Sequence, residues 1–432
     1  MWSAGWKAVA LLATVQTLAF FHRTLATLLA EPIRLEFGVS DTLIGLFIGA
    51  AFSISFVIAA LPLGHLADHE DRFRLLGIFV ATWSVLTSLA AAAINFAALL
   101  LLRIGSAAAM SGVTPAAGSL IAEHYAGPKL AKPMGIYASG IYFGVGSSML
   151  IGGALAALFD PFGHFAIGPL PPLSGWKIIY LLAGLPGIIV ASMLFGQTDV
   201  SRRETRNSPR RPLKPVFNFL LARPSNYLRV MLALTMLVFV ATAVGAWLPA
   251  LLLRKHGWAI EDIGFWAGAI TIAAGLLGTL GSGYLVEFIE RFMRTGNPQM
   301  LLLILAAAVS APLAIALPLV SSPYACLALF FCRSLLGGII VSLGYAIMLN
   351  LAPEDQRARL TAMAGITVNL VGGALAPVAV ALTTDFGFAD PSRLADSLAI
   401  VTALGSIAAI AILLTGVRSL FSPHSLPAKT GR

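Results

Sequence analysis

An all-helical membrane protein built as two repeated halves is the fold class this sequence predicts, and three observations predict it. Apolar residues make up 58% of the chain and charged residues only 11%, against about 25% charged in ordinary soluble domains. Mean hydropathy is +0.88, too high for a water-facing surface. Second, the apolar residues gather into twelve segments, approximately 7–30, 41–63, 75–94, 97–124, 134–158, 176–197, 226–252, 262–286, 299–319, 323–350, 359–384 and 394–416. Each is long enough to cross ~30 Å of hydrocarbon as a helix. Third, a charged island recurs. Residues 64–74 read GHLADHEDRFR, and residues 283–294 read GYLVEFIERFMR. Gly64 matches Gly283, Asp68 matches Glu287 and Arg72 matches Arg291 at an offset of 219 in 432 residues. Duplicated bundles of this kind are an architecture of membrane transporters.

The elements follow in order. The first segment is no cleaved signal peptide: its apolar stretch is too long, it carries His22 and Arg23, and it lacks a small-residue cleavage site. Segment two opens on Ser40-Asp41-Thr42, a helix cap with an acid in the first turn. Gly140, Gly144, Gly146, Gly152 and Gly153 in segment five permit close helix contact. Gly372 and Gly373, just before Pro377, do the same in segment eleven. The organisation expected is a six-helix bundle at 1–197, a central loop at 198–225, a second six-helix bundle at 226–417 and a short tail at 418–432. Within the central loop, PVFNFLLARP reads as a plain linker or as a stretch lying on the membrane surface. Cys326 and Cys332 share one apolar segment and form no disulfide framework.

The basic residues set an orientation. With the N-terminus in the cytoplasm, twenty of the 28 Lys and Arg fall at cytoplasmic ends, seven of them in the central loop. Only Arg34, Lys177, Arg254, Lys255 and Arg393 lie outside. Both termini are therefore expected in the cytoplasm of a cell with this protein in its inner membrane. The positive net charge has this topological cause, which removes nucleic acid as a partner.

The motif GHLADHEDRFR resembles the loop signature G-x-L-A-D-x-x-x-R-x-R of the major facilitator superfamily. Segments 31–46 (EPIRLEFGVSDTLIGL), 103–123 (RIGSAAAMSGVTPAAGSLIAE), 175–187 (GWKIIYLLAGLPG) and 247–258 (WLPALLLRKHGW) resemble its spinster-like branch. The resemblance implies two six-helix bundles that rock about a central site, opening alternately to each side. It also implies a latch in the loop: Gly64, Asp68, Arg72 and Arg74 in the first half, Gly283, Glu287 and Arg291 in the second. Asp68 would sit near the N-terminus of the eleventh helix, where a carboxylate gains ~0.3–1 kcal/mol. The alternative is that these charges only fix topology.

Ionisable groups inside the spans are costly and usually functional. All 19 acids can be placed at ends or in loops, leaving His22, Arg23, Arg103 and Arg333 within the apolar segments. Arg103 and Arg333 occupy corresponding places in the two halves. With no acid to neutralise them, a shared anionic ligand is the economical reading, since the guanidinium fork suits carboxylate or phosphate. The alternative for any one of them is a pin on backbone carbonyls. Candidate contacts around them are Met110, Thr114, Tyr137, Tyr142 and Asn369, with Gln16, Ser111 and Tyr345. No cofactor or metal motif is present.

The chain departs from the spinster-like pattern at two carboxylates. That family usually has an Asp-Arg pair in its first helix, where this chain has His22-Arg23. Two turns after Arg103, where the family has Glu, stands Met110. His22 is then the candidate proton carrier, because its unperturbed pKa of ~6.5 lies near physiological pH, and an arriving anion would stabilise the imidazolium. The alternative is a neutral histidine hydrogen-bonded in the bundle, with transport by facilitation or exchange. The sequence thus points to a monomeric secondary transporter of a small or amphipathic organic anion, with protons as possible co-substrates and membrane lipids as surroundings. Alternatives are a lipid, lysophospholipid or drug exporter with a largely apolar pocket, and a transporter-like sensor. An enzyme finds no nucleophile motif, acid pair or metal cluster to support it.

Overall fold

The computed structural model describes residues 4–125, 127–166, 172–197, 226–292, 297–353 and 356–415, without the side chains of 4, 67–69, 127, 128, 131 and 358. Twelve helices among them are long and apolar enough to cross a membrane. They are α1 (Gly5–Leu28), α2 (Asp41–Leu66), α3 (Arg72–Ala92), α4 (Phe96–His124), α5 (Lys132–Leu158) and α6 (Gly175–Phe195), followed by α7 (Asn226–His256), α8 (Ile260–Phe292), α9 (Pro298–Ala316), α10 (Pro323–Leu351), α11 (Arg359–Phe388) and α12 (Pro391–Thr415). Every expected segment is one of these, with ends that differ by a few residues. The stretch PVFNFLLARP lies outside the described residues.

The chain divides into two compact units: residues 1–209 with Leu252–Ile272, and 210–251 with 273–432. This differs from the halves expected at the central loop, because the last turn of α7 and the first half of α8 pack with the first unit. In that unit α1 lies along α5, α3 along α6, and α2 along α4. Its interior is a continuous cluster that includes Leu12, Val15, Phe52, Trp83, Met110 and Tyr137. In the second unit α9 packs against α10 and α12, around Tyr227, Met300, Leu343 and Leu360.

Between lipid-embedded helices apolar burial brings little drive, so close packing and interhelical hydrogen bonds hold them together. The glycines of α5 supply the close packing. A Cβ added at Gly144 would lie 2.4 Å from the Thr17 carbonyl oxygen of α1. On another face of α5, a Cβ at Gly264 of α8 would lie 2.4 Å from the Met149 carbonyl oxygen. Neither contact admits a side chain.

Helix starts follow the local chemistry. Ser40 Oγ accepts from the Leu43 N–H at 3.3 Å, with Asp41 in the first turn of α2, as the sequence indicates. Asp71 caps α3 by accepting from the Arg74 N–H at 2.9 Å, and Asn95 caps α4 through the Ala98 N–H at 2.8 Å. A short helix, Ala30–Phe37, joins α1 to α2 and stops at Gly38, whose φ of 61° is left-handed. Between α5 and α6 runs a two-residue antiparallel ladder of β1 (His164–Phe165) and β2 (Leu173–Ser174). The α-helical period is interrupted by wider π turns at Leu46–Ala50 in α2 and at Val368–Leu375 and Thr383–Phe388 in α11.

Candidate functional site

Four ionisable side chains lie within the spans as expected, but their surroundings differ. Arg103, on α4, is buried. Its Nη1 donates to the His22 carbonyl oxygen at 3.2 Å and its Nη2 to that of Arg23 at 2.8 Å. Its guanidinium carbon also stands 4.7 Å from the Phe52 ring centroid and 5.5 Å from that of Phe47. The fork is engaged with the backbone of α1, the pin that the sequence reading kept as an alternative. His22 is buried too, and its Nε2 lies 2.7 Å from the Ala183 carbonyl oxygen of α6. A carbonyl only accepts, so Nε2 carries the hydrogen.

Arg23 is different. It is half-buried, with its guanidinium carbon 4.8 Å from the Phe52 ring centroid and 5.8 Å from that of Phe20. Among the described residues no hydrogen-bond acceptor or carboxylate meets it. Arg333, on α10 in the second unit, is 6% exposed. Its Nε is buried without a partner, and no acceptor for the rest of its guanidinium occurs among the described residues. An unanswered guanidinium inside a span is expensive, and such groups mark functional sites.

The polar candidates sort by unit. Tyr137 donates to Gln16 Oε1 at 2.8 Å, a polar contact that joins α1 and α5, and Thr114 of α4 is exposed. Met110 is buried in the core of the first unit. Ser111 bonds back to the Ala108 carbonyl. Tyr142 and Tyr345 are half-buried. Asn369 lies in the π turns of α11, where its Nδ2 donates to the Gly365 carbonyl at 3.0 Å.

In the repeated loop, Arg72 forms a fork on Glu123, with Nη2 2.7 Å from Oε2, and reaches Ser119 Oγ at 3.2 Å. The sequence reading pairs Arg72 with Asp68, whose side chain lies outside the described residues. Arg74 is exposed, as are Gly283, Glu287 and Arg291 of the second copy. Neither Gly64 nor Gly283 has any atom within 4 Å of an added Cβ, so neither glycine is demanded by a close neighbour.

The first unit also holds a cluster of charges that the sequence reading missed. Arg254, at the end of α7, sets Nη1 2.7 Å from Asp41 Oδ2 and Nε 2.9 Å from Glu31 Oε2. Arg34 reaches Glu31 Oε1 at 2.7 Å. Burial would raise the Glu31 carboxyl, but the hydrogen bond from Arg34 and the Arg254 charge and hydrogen bond outweigh it, holding it below the usual carboxylate range. Nearby, Lys177 meets Glu36 Oε1 at 2.8 Å, and the Trp176 indole donates to the other oxygen. No signal in the sequence joins Arg254 to acids more than two hundred residues upstream.

Twelve spans, duplicated charged loops and unanswered cations within the spans define a polytopic membrane transporter. The chain belongs to the Major Facilitator Superfamily, whose family model matches residues 12–377. It is 27% identical over 395 residues to an MFS-type efflux pump of Mycolicibacterium smegmatis, across 88% of this chain and 85% of that protein. It is 26% identical over 297 residues to the probable L-galactonate transporter of Escherichia coli, across 66% of this chain and 62% of that one. Spinster proteins of Drosophila melanogaster and Homo sapiens also match. Among solved structures, an inward-facing, unoccupied bacterial homolog of the human lysosomal transporter spinster aligns with a TM-score of 0.78 at 22% identity, over 97% of both chains. The spinster-like resemblance is therefore met, and its fold is the one found.

Proposed function

We propose that this transporter is a secondary carrier of a small or amphipathic organic anion, working by alternating access in a bacterial inner membrane with both termini cytoplasmic. One observation carries the reading: Arg23, flanked by Phe20 and Phe52, and Arg333, with a buried unpartnered Nε, present guanidinium groups within the spans that no described acceptor answers. A carboxylate or phosphate supplies the missing charge and fits the fork. Phe20 and Phe52 beside Arg23 suit an apolar body next to the anionic head. The Escherichia coli relative is named for a sugar acid, which accords with this charge. Arg103 then serves the site at one remove, holding the backbone that carries Arg23. The name of the Mycolicibacterium smegmatis relative favours the alternative of an exporter with an apolar pocket.

Proton coupling is assigned to His22, next in sequence to Arg23, through Nδ1, which has no protein partner. Asp68, Arg72 and Arg74, with Glu287 and Arg291, remain the proposed loop latch between states. The deciding experiment is ligand binding by purified wild type, Arg23→Ala and Arg333→Ala against a sugar acid, a lysophospholipid and a cationic drug. Loss of one charge-assisted partner costs ~1.5–3 kcal/mol, about ten- to a hundredfold in affinity. Binding of the drug alone, unchanged in both variants, would overturn the anion reading. Coupling is read separately: His22→Ala in proteoliposomes should lose accumulation driven by a pH gradient while keeping counterflow.

A further inference from the structure

A small cavity in the first unit has His22, Thr87, Arg103, Ser106 and Tyr180 among its lining residues. Three of these side chains bring to it a buried polar atom with no protein partner: His22 Nδ1, Arg103 Nε and the Tyr180 hydroxyl. The residues are 1%, 6% and 4% exposed. Each orphaned atom of this kind costs about 1–3 kcal/mol unless something answers it.

Their chemistry is complementary. Arg103 Nε–H only donates. Since His22 Nε2 carries its hydrogen to Ala183, the neutral ring offers an acceptor at Nδ1. The Tyr180 hydroxyl does either. Thr87 and Ser106 are already committed to the Trp83 and Arg103 carbonyls. The cavity leaves about 10 Å³ for the centre of a water-sized sphere, close to the least that holds one water. A larger anion has no room, and an acceptor at Nδ1 repels it.

We propose that this cavity is the site of one ordered water, which accepts from Arg103 Nε–H, donates to His22 Nδ1 and hydrogen-bonds the Tyr180 hydroxyl. It has the two to four polar partners that buried waters need. The water would tie α1, α4 and α6 at one point, completing the grip of Arg103 on the α1 backbone. The inference does not depend on which substrate the protein carries.

Tyr180→Phe tests it by the sign of its effect. If water bridges the three groups, removing the hydroxyl loses a hydrogen bond and lowers the melting temperature in detergent. If the cavity is dry, the same change deletes an orphaned donor, and the melting temperature holds or rises, which would overturn the proposal. The second measurement is a structure at a resolution that shows ordered solvent, from crystals grown in bromide. One water peak within ~3.2 Å of all three atoms is expected. An anomalous bromide peak there, or no peak, would also overturn it.

Discussion

Arg103 and Arg333 lie on the fourth helix of each sequence half, α4 and α10, and they meet different surroundings. Arg103 has two carbonyl acceptors from α1 and two flanking rings. Arg333 has no described acceptor, and its Nε is orphaned. The Nε of each is without a protein partner; the difference is that two other donors of Arg103 meet carbonyl oxygens and none of Arg333's meets a described acceptor. Position in the repeat gives no means of telling them apart, because the carbonyls that engage Arg103 belong to another helix some eighty residues away. A third arginine, Arg254, shows the remaining way of answering this charge, with carboxylates.

The largest expected effect sharpens that third case. Arg254→Ala takes from Glu31 and Asp41, both buried, the guanidinium that bonds both, leaving Arg34 as their cation among the described residues; breaking a buried pair costs about 3–5 kcal/mol. Thermal unfolding should show it as the most severe loss among the arginines. The pH dependence has a definite sign. The Glu31 carboxyl is held below its usual range, so its contribution is fully present above its unfolded value, ~4.3, and is lost as pH falls through the lower folded value. Wild-type stability should therefore be insensitive to this group from pH 8 to 5 and decline only in stronger acid, and Glu31→Gln should flatten that acid decline.

Next comes the direct comparison. Arg103→Ala should cost about 3 kcal/mol or more, from two charge-assisted hydrogen bonds at ~1.5–3 each, while Arg333→Ala should leave stability unchanged or improved, since it removes a buried charge with no partner. Equal losses in the two variants would break the contrast. A gentler pair refines it. Lysine keeps the charge but not the fork, so Arg333→Lys should retain part of the affinity for an anion, whereas Arg103→Lys should lose stability by about one charge-assisted hydrogen bond, ~1.5–3 kcal/mol. Smallest is Tyr137→Phe, which surrenders the contact with Gln16 for ~1 kcal/mol and should leave anion affinity within about twofold, as measured by titration.

Much of this molecule was legible in the chain. Span number, the Ser40 cap and the backbone-close glycines of α5 all rest on local pattern, and local pattern survives folding. Arg23 and Arg333 stood out because a charge in an apolar run is visible without knowing its neighbours. What stayed hidden was pairing at a distance. Glu31 and Asp41 read as ordinary loop and cap acids, and nothing local says that Arg254 lies against them. The pin of Arg103 was hidden for a different reason: its acceptors are backbone atoms, which every residue has, so no side-chain type announces them.

The π turns of α2 and α11 have a bearing on how this chain lines up with its relatives. A helix that takes in one more residue per turn rotates everything after it by about 100° relative to an unbroken α-helix. In α11 this happens at Val368–Leu375 and again at Thr383–Phe388. A face traced from Arg359 in steps of 3.6 is therefore no longer the same face by Ala376, and one traced from Ala376 fails by Phe388. These stretches are also where a homologous helix one residue shorter can tighten into regular α-helix and keep its ends in place. A single-residue gap in an alignment over 368–375 or 383–388 then records a turn closed up, with the same inward-facing surface on either side of it.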